Sequence, residues 1–166
     1  MNLIRCSLVC LLLCFSSRAL FAAPSGTFVS PDGKLKAVLL LVGAYGYENM
    51  ESQVDIRTRD GQLLCSQNFQ STGRSGNGRY IEHFKWSPNS RFFVYTTSSS
   101  GGHSPWHYDT FFFSRKQHRI LDFNDYNIVI TEPDFRIKRP DVFVGTRWTG
   151  DPGFSSNPCR IKLGSL

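Results

Sequence analysis

The sequence predicts an all-β protein built from antiparallel four-stranded meanders. Three observations support this prediction. Apolar and polar residues alternate with a period of two along much of the chain, which is typical of half-buried strands. No segment after residue 24 has the spacing of a capped amphipathic helix. A set of strands and turns also occurs twice, so the strands belong to a repeated unit.

Residues 1–23 are interpreted as a signal peptide. Arg5 supplies a positive charge, and the apolar run over 6–15 is long enough for a signal core but too short for a membrane span. Small residues before residue 24 offer a cleavage site, and an uncleaved anchor is the alternative. After cleavage, residues 24–166 are expected to form a single secreted or periplasmic domain that is not an integral membrane protein.

The charge pattern bears on the class of partner. The 166 residues include 19 Lys and Arg against 13 Asp and Glu, which gives a formal net charge of +6. Loss of Arg5 and Arg18 with the signal leaves 17 basic residues against the same 13 acidic ones. No run of five like charges occurs, so we expect no nucleic acid partner. No cofactor is expected either.

The first repeated unit spans residues 27–70. A continuous apolar run over 34–43 is typical of a strand buried on both faces. The next strand, over 52–59, alternates apolar and polar residues. Asp60-Gly61 is then the strongest short signal for a tight hairpin, and a strand over 62–69 runs back. The unit is therefore predicted to be a meander.

The second unit spans residues 79–124, and residues 126–166 form a degenerate third group of strands. Strict alternation over 79–86 places Ile81 and Trp86 on opposite faces of the first strand of the second unit. The other strand candidates lie over residues 90–98, 107–115, 118–123, 126–130, 142–148 and 159–163.

The two units share a turn sequence at an offset of 57 residues. FVSPDGK at 28–34 is matched by KWSPNSR at 85–91, and an apolar strand follows each copy. Pro fixes φ in both turns, while Asp32 or Asn89 is expected to accept backbone hydrogen bonds. This pattern resembles the blade repeat of TolB-type, WD-like β-propellers, which also occurs in the non-catalytic propellers of prolyl-oligopeptidase-like peptidases. The resemblance covers residues 27–123.

The resemblance implies blade-like sheets that act as a scaffold for binding proteins or peptides. A propeller closes with about four to eight blades, whereas this chain has two clear repeats and a degenerate remainder. We therefore expect the sheets to pack face to face as a sandwich. A partial propeller, completed by association of several chains into a homo-oligomer, is the alternative.

The candidate binding residues lie in a loop between two strands of the second unit. The segment over 98–109 contains two His, a Trp and a Tyr next to a Gly-Gly pair. Flat aromatic rings with adaptable polar neighbours suit recognition of a protein, peptide or glycan. A polar hairpin loop whose Trp folds over the sheet edge is the simpler alternative. The predicted binding residues are His103, Trp106, His107 and Tyr108.

A small metal-dependent hydrolase is the alternative function. His103, His107 and Asp109 could converge as zinc ligands. However, the spacing of the two histidines is a metal motif on a helix, and Pro105 disfavours a helix here. The segment also lacks the Gly-x-Ser-x-Gly frame of a serine nucleophile. A non-enzymatic binding module is therefore preferred, with no catalytic residue and no metal ligand assigned.

Two further predictions concern an anion site and a disulfide. Arg74 and Arg79 lie in a glycine-rich segment that could cradle an anion, although a linker between the two units explains it more simply. Cys65 and Cys159 are the cysteines that follow the signal segment. In an exported chain they are predicted to form a disulfide, with two buried thiols as the alternative.

Overall fold

The computed structural model describes residues 25–42, 51–71, 78–101, 106–150 and 156–166. These residues form three antiparallel sheets, none of which closes into a barrel, so the predicted all-β class is confirmed. The predicted signal peptide lies outside them. Within the described part of the chain, no helix is long and apolar enough to span a bilayer.

The first two sheets are four-stranded meanders, as predicted. The first sheet has the order β1-β2-β3-β4, and the second has the order β5-β6-β7-β8. The strands of the first sheet are β1 (Gly26–Val29), β2 (Leu35–Leu41), β3 (Ser52–Thr58) and β4 (Leu63–Asn68). Those of the second are β5 (Arg79–Trp86), β6 (Phe92–Ser99), β7 (Asp109–Ser114) and β8 (Arg119–Asp122).

The third sheet is a three-stranded meander with the order β11-β10-β9. Two isolated bridges join it to the second sheet, because Ile130 pairs with Tyr108 on one side and with Arg147 on the other. The strands are β9 (Arg136–Lys138), β10 (Val142–Trp148) and β11 (Ser156–Lys162). Short 3₁₀ helices occupy Phe123–Tyr126 and Leu163–Ser165.

Equivalent Ser-Pro turns connect β1 to β2 and β5 to β6. The Oγ of Ser30 accepts a hydrogen bond from the backbone amide five residues later at 3.0 Å, and the Oγ of Ser87 does the same at 3.0 Å. Asp32 and Asn89 each accept from the amide two residues later, at 3.2 Å in both turns. The amide of Asp32 also donates to the Oγ of Ser90 at 3.0 Å, so the two turns contact each other.

The second sheet lies between the other two, and its strands contribute to both cores. Alternate residues of β6 point to opposite sides. Phe93 and Tyr95 belong to the core between the first and second sheets, where they pack with residues such as Ile56 of β3. Phe92 and Val94 belong to the core between the second and third sheets. The phenylalanine-rich composition therefore fills two cores at once.

A β-bulge changes which face of β5 some residues occupy. The register with β6 shifts between Ile81 and His83, so Glu82 is an extra residue on β5. Ile81 and Trp86 consequently lie in the same core, between the first and second sheets. The prediction that they occupy opposite faces was wrong. The extra residue of the bulge interrupts the alternation of side chains between the two faces of the strand, so the residues after it change face.

The predicted burial of β2 on both faces was also wrong. Leu35, Ala37 and Leu39 are buried in the core, but Leu40 is 40% exposed on the other face. The first sheet is the outer layer of the three and packs against the second sheet on one side. A continuous apolar run therefore does not require burial on both faces here.

The predicted disulfide between Cys65 and Cys159 is absent, and both residues are free thiols. Cys65, on β4, packs against the core between the first and second sheets, whereas Cys159, on β11, belongs to the core between the second and third. The second sheet thus separates them. Burial, with a smaller contribution from Asp55, raises the pKa of Cys65 to about 11. Burial also raises the pKa of Cys159.

Candidate functional site

Trp106, His107 and Tyr108 lie where the chain enters β7, at the junction of the second and third sheets. The backbone amide of Tyr108 donates a hydrogen bond to the carbonyl of Ile130 at 2.8 Å. Ile130 also pairs with Arg147 of β10. The backbone at Tyr108 is therefore joined through Ile130 to the third sheet, directly before Tyr108 leads into β7 of the second sheet.

An aromatic pair is the most exposed part of this site. The ring of Trp106 lies 6.0 Å from the ring of Trp148 in an edge-to-face arrangement, and 4.3 Å from the imidazole of His107. Trp106 is 51% exposed and Trp148 is 37% exposed. Exposed tryptophans in contact are suited to hold a partner, because each offers a large, stiff apolar surface.

Trp148 was missed by the sequence reasoning. It is the last residue of β10, and it reaches Trp106 because Ile130 bridges β10 to the chain before β7. The available signal was an aromatic residue at the end of a strand candidate, directly before a Thr-Gly-Asp-Pro-Gly turn sequence. That signal places Trp148 next to a loop, but not next to Trp106.

A polar network lies below the aromatic pair and is centred on Asp109, whose side chain is largely buried. Oδ1 of Asp109 accepts a hydrogen bond from the side-chain amide of Asn124 at 3.3 Å and lies 3.5 Å from Nε2 of His107. Oδ2 forms an ion pair with Arg79. Arg79 was assigned to a separate, weaker anion site, but the structure places it beside Asp109, where its charge is already matched.

Carboxylates also surround the two tyrosines of this region. Burial raises the pKa of Tyr108, and the nearby charges of Glu82, Glu132 and Asp134 raise it further. Burial and then Glu82 raise the pKa of Tyr80. Both phenols therefore stay protonated at neutral pH, so each retains a hydroxyl that can donate a hydrogen bond.

The metal-site alternative involves three predicted ligands, two of which the structure describes. Among the described residues, no group of three or more His, Cys, Asp or Glu side chains is arranged to hold a metal ion. His107 and Asp109 do lie close together, but Arg79 and Asn124 already occupy the Asp109 carboxylate. The third predicted ligand, His103, and the predicted anion-site residue Arg74 lie outside the described residues.

Comparison with known proteins identifies no relative. The sequence matches no protein-family model and no curated protein, and the fold matches no solved structure. A fold by itself does not specify a function, so the function has to be inferred from the chemistry of the site.

Proposed function

We propose that this chain is an exported, non-enzymatic binding module. Its recognition surface consists of Trp106, His107, Tyr108 and Trp148, called the aromatic surface from here on. The observation that carries the proposal is the edge-to-face contact of Trp106 and Trp148 at 6.0 Å, with both rings partly exposed. Tryptophan and tyrosine dominate the binding energy of many interfaces, because they bury a large area at a small cost in side-chain entropy.

Support for the proposal comes from the way the aromatic surface is held in place. Tyr108 and Trp148 each belong to a backbone segment that hydrogen-bonds to the strand-like segment around Ile130. The Asp109 carboxylate lies between Arg79 and His107, with Oδ1 3.5 Å from Nε2 of the imidazole next to Trp106. A surface that is already ordered loses less entropy when it binds, so more of the contact energy appears as affinity.

The chemistry of the aromatic surface indicates the kind of partner. The indole rings offer apolar faces, and Tyr108, the residue that follows His107, offers a hydroxyl. The imidazole of His107 lies beside Trp106 with Nε2 facing Asp109 and Nδ1 buried, so it adds ring surface and not a free hydrogen-bonding group. This combination fits a protein, a peptide or a glycan that has both apolar and polar faces. The tryptophans supply most of the contact area, and the hydroxyl of Tyr108 adds a directional contact.

Export and the relation to blade repeats form part of the same proposal. The signal-like segment over 1–23 supports export, and the matching hydrogen bonds of the Ser30 and Ser87 turns support a duplicated, blade-like unit. Expression of the full chain in a secreting host, followed by intact-mass measurement, tests export. An exported product cut after one of residues 19–23 supports it, and a product that stays uncut inside the cells contradicts it.

Glycan and peptide arrays test the binding function. The purified protein is applied beside Trp106→Ala, Trp148→Ala and the matched control Leu63→Ala, which removes an apolar side chain that is 47% exposed on β4. We expect array ligands that bind the wild type and Leu63→Ala but neither tryptophan variant. Ligands that bind all four proteins equally would contradict the proposal.

A further inference from the structure

Four basic side chains lie on the outer face of the third sheet, which is turned away from the second sheet. β9 and β11 each contribute two cations, and β10 between them contributes two valines. In the register, each valine stands directly between a cation of β9 and a cation of β11. The cations are exposed and the valines are half-buried. We call these six residues the basic face: Arg136, Lys138, Val142, Val144, Arg160 and Lys162.

The sheet geometry spreads these charges evenly over a plane. Residues two apart on a strand are separated by about 7 Å, and β9 and β11 by about 10 Å, so the four cations form a rectangle of about that size. The stems of Lys and Arg can lie along the valines while the charged groups remain in water. The result is a flat patch with an apolar strip through its middle.

These four charges have no ion-pair partner among the residues that the structure describes. None of the four side chains forms an ion pair or a side-chain hydrogen bond with any residue that the structure describes. Asp141, at the turn between β9 and β10, is buried and lies against Asn89. The sequence outside the described residues contains two carboxylates, Glu48 and Asp151, which is half of what four cations require.

A second copy of the chain does not supply the missing negative charge. Completion of a propeller-like ring would set the basic face against the outer face of the first sheet of another copy. That face carries Lys36 and Arg57 beside Asp55. Arg57 already pairs with Asp55 at 2.6 Å, so the face has no surplus negative charge to offer. An anionic partner of the basic face would therefore be of a different kind.

We propose that the basic face docks the protein on the surface of a bilayer that contains anionic lipids. A flat array of cations with an apolar strip matches a flat surface of anionic headgroups, where the valines can rest at headgroup level. Single-stranded nucleic acids are usually held by aromatic rings that stack on successive bases. None of the six residues is aromatic, and the aromatic residue on the same face of β10, Trp148, lies four residues beyond Val144 at the other end of the strand. Duplex DNA is usually read by an element that enters a groove, which a sheet face of this kind does not do.

Vesicle co-sedimentation tests this proposal. The protein is mixed with vesicles of phosphatidylcholine and phosphatidylglycerol, and with vesicles of phosphatidylcholine alone. The test variant combines Arg136→Gln, Lys138→Gln, Arg160→Gln and Lys162→Gln. The control variant combines Lys34→Gln, Lys85→Gln, Arg91→Gln and Lys116→Gln, which removes the same charge from four positions elsewhere.

We expect the wild type and the control variant to bind the anionic vesicles and not the neutral ones. Each basic residue near an anionic surface is worth about fivefold in partitioning, so the test variant should bind more than about 100-fold less well. Circular dichroism verifies that it is folded. If the test variant is not folded, the double variant Lys138→Gln and Lys162→Gln replaces it, because these two residues form one row of the rectangle. This double variant should bind the anionic vesicles at least about tenfold less well than the wild type.

Three outcomes would overturn the proposal. The first is equal loss of vesicle binding in the test and control variants, which would show that total charge matters and the face does not. The second is a wild type that does not bind the anionic vesicles but binds an oligonucleotide through the same four residues. The third is a wild type that does not bind the anionic vesicles, whether or not it forms dimers that the test variant does not form.

Discussion

Asp32 and Arg115 form an ion pair that joins the first sheet to the second. Nη1 of Arg115, after β7, lies 2.6 Å from Oδ2 of Asp32, in the turn between β1 and β2, although 83 residues separate them in the chain. The hydrogen bond from the Arg115 guanidinium, followed by smaller contributions from Ser30 and the amide of Lys34, holds the pKa of Asp32 well below its usual range. The contact between the two Ser-Pro turns is thus reinforced by charge.

This ion pair predicts a pH-dependent cost for Arg115→Gln. Because the pKa of Asp32 is lowered in the folded state, the pair stabilises the protein above about pH 4, the pKa of an unfolded Asp, and its contribution is lost as the pH falls below that value. Both side chains are about one-third exposed, so we expect the substitution to cost less than about 1 kcal/mol at neutral pH.

Urea unfolding at neutral pH and again in acid, well below the pKa of an unfolded Asp, measures this effect. The difference in unfolding free energy between wild type and Arg115→Gln should shrink in acid. Arg91→Gln, which removes another exposed cation, should show no such change. A cost that is the same at both pH values would mean that Arg115 acts through packing and not through the charge of Asp32.

Gly78→Ala is predicted to destabilise the fold through Glu51. The added Cβ would lie 1.8 Å from Oε1 of Glu51, whose side chain is buried. Glu51 cannot move away easily, because it accepts hydrogen bonds from the amide of Ser71 at 2.9 Å and the hydroxyl of Ser100 at 3.2 Å. Overpacking of this kind typically costs about 1–3 kcal/mol, and we expect at least about 2 kcal/mol here.

A double-mutant cycle tests whether the clash with Glu51 causes the loss of stability in Gly78→Ala. In a Glu51→Ala background, the Gly78→Ala change should cost little, since the new methyl enters vacated space. Gly33→Ala provides a comparison, because a Cβ added at Gly33 would have no atom within 4 Å. The φ of Gly33 is +70°, so this substitution is expected to cost only the backbone strain, about 1 kcal/mol. Equal costs for Gly78→Ala in both backgrounds would show that the clash with Glu51 is not responsible.

Cys65 and Cys159 are predicted to be unpaired and slow to react. Burial raises the pKa of both thiols, that of Cys65 to about 11, so few thiolate ions exist at neutral pH. Iodoacetamide should label both cysteines rapidly after unfolding without reductant, and slowly in the native protein. Peptide mapping by mass spectrometry reads the result. A peptide pair linked through Cys65 and Cys159 before any reduction would contradict the structure.

The strands and turns could be predicted from the sequence because their signals are local. The alternation in β3 and the Ser-Pro turns each involve residues close together in the chain, and the repeat is found by comparing the sequence with itself. The bulge at Glu82 could not be predicted this way, because it is defined by the register between β5 and β6. One added residue was enough to bring Ile81 and Trp86 to the same face.

The candidate site was predictable only in the segment where its residues are contiguous. Trp106, His107 and Tyr108 are neighbours in sequence, so their grouping needed no tertiary information. Trp148 joins them only through the bridges of Ile130, and Arg79 joins through Asp109 across the second sheet. The cations of the basic face are likewise spread over residues 136–162 and meet only when β9, β10 and β11 align.

We propose that Trp106 and Trp148 together bind the partner. The most direct test is the dissociation constant of an array-selected ligand, measured by calorimetry for wild type, Trp106→Ala, Trp148→Ala and Leu63→Ala. We predict that each tryptophan variant raises the constant at least about tenfold, as expected for central aromatic contacts, and that Leu63→Ala leaves it unchanged. A folded Trp106→Ala protein with the wild-type constant would contradict the claim.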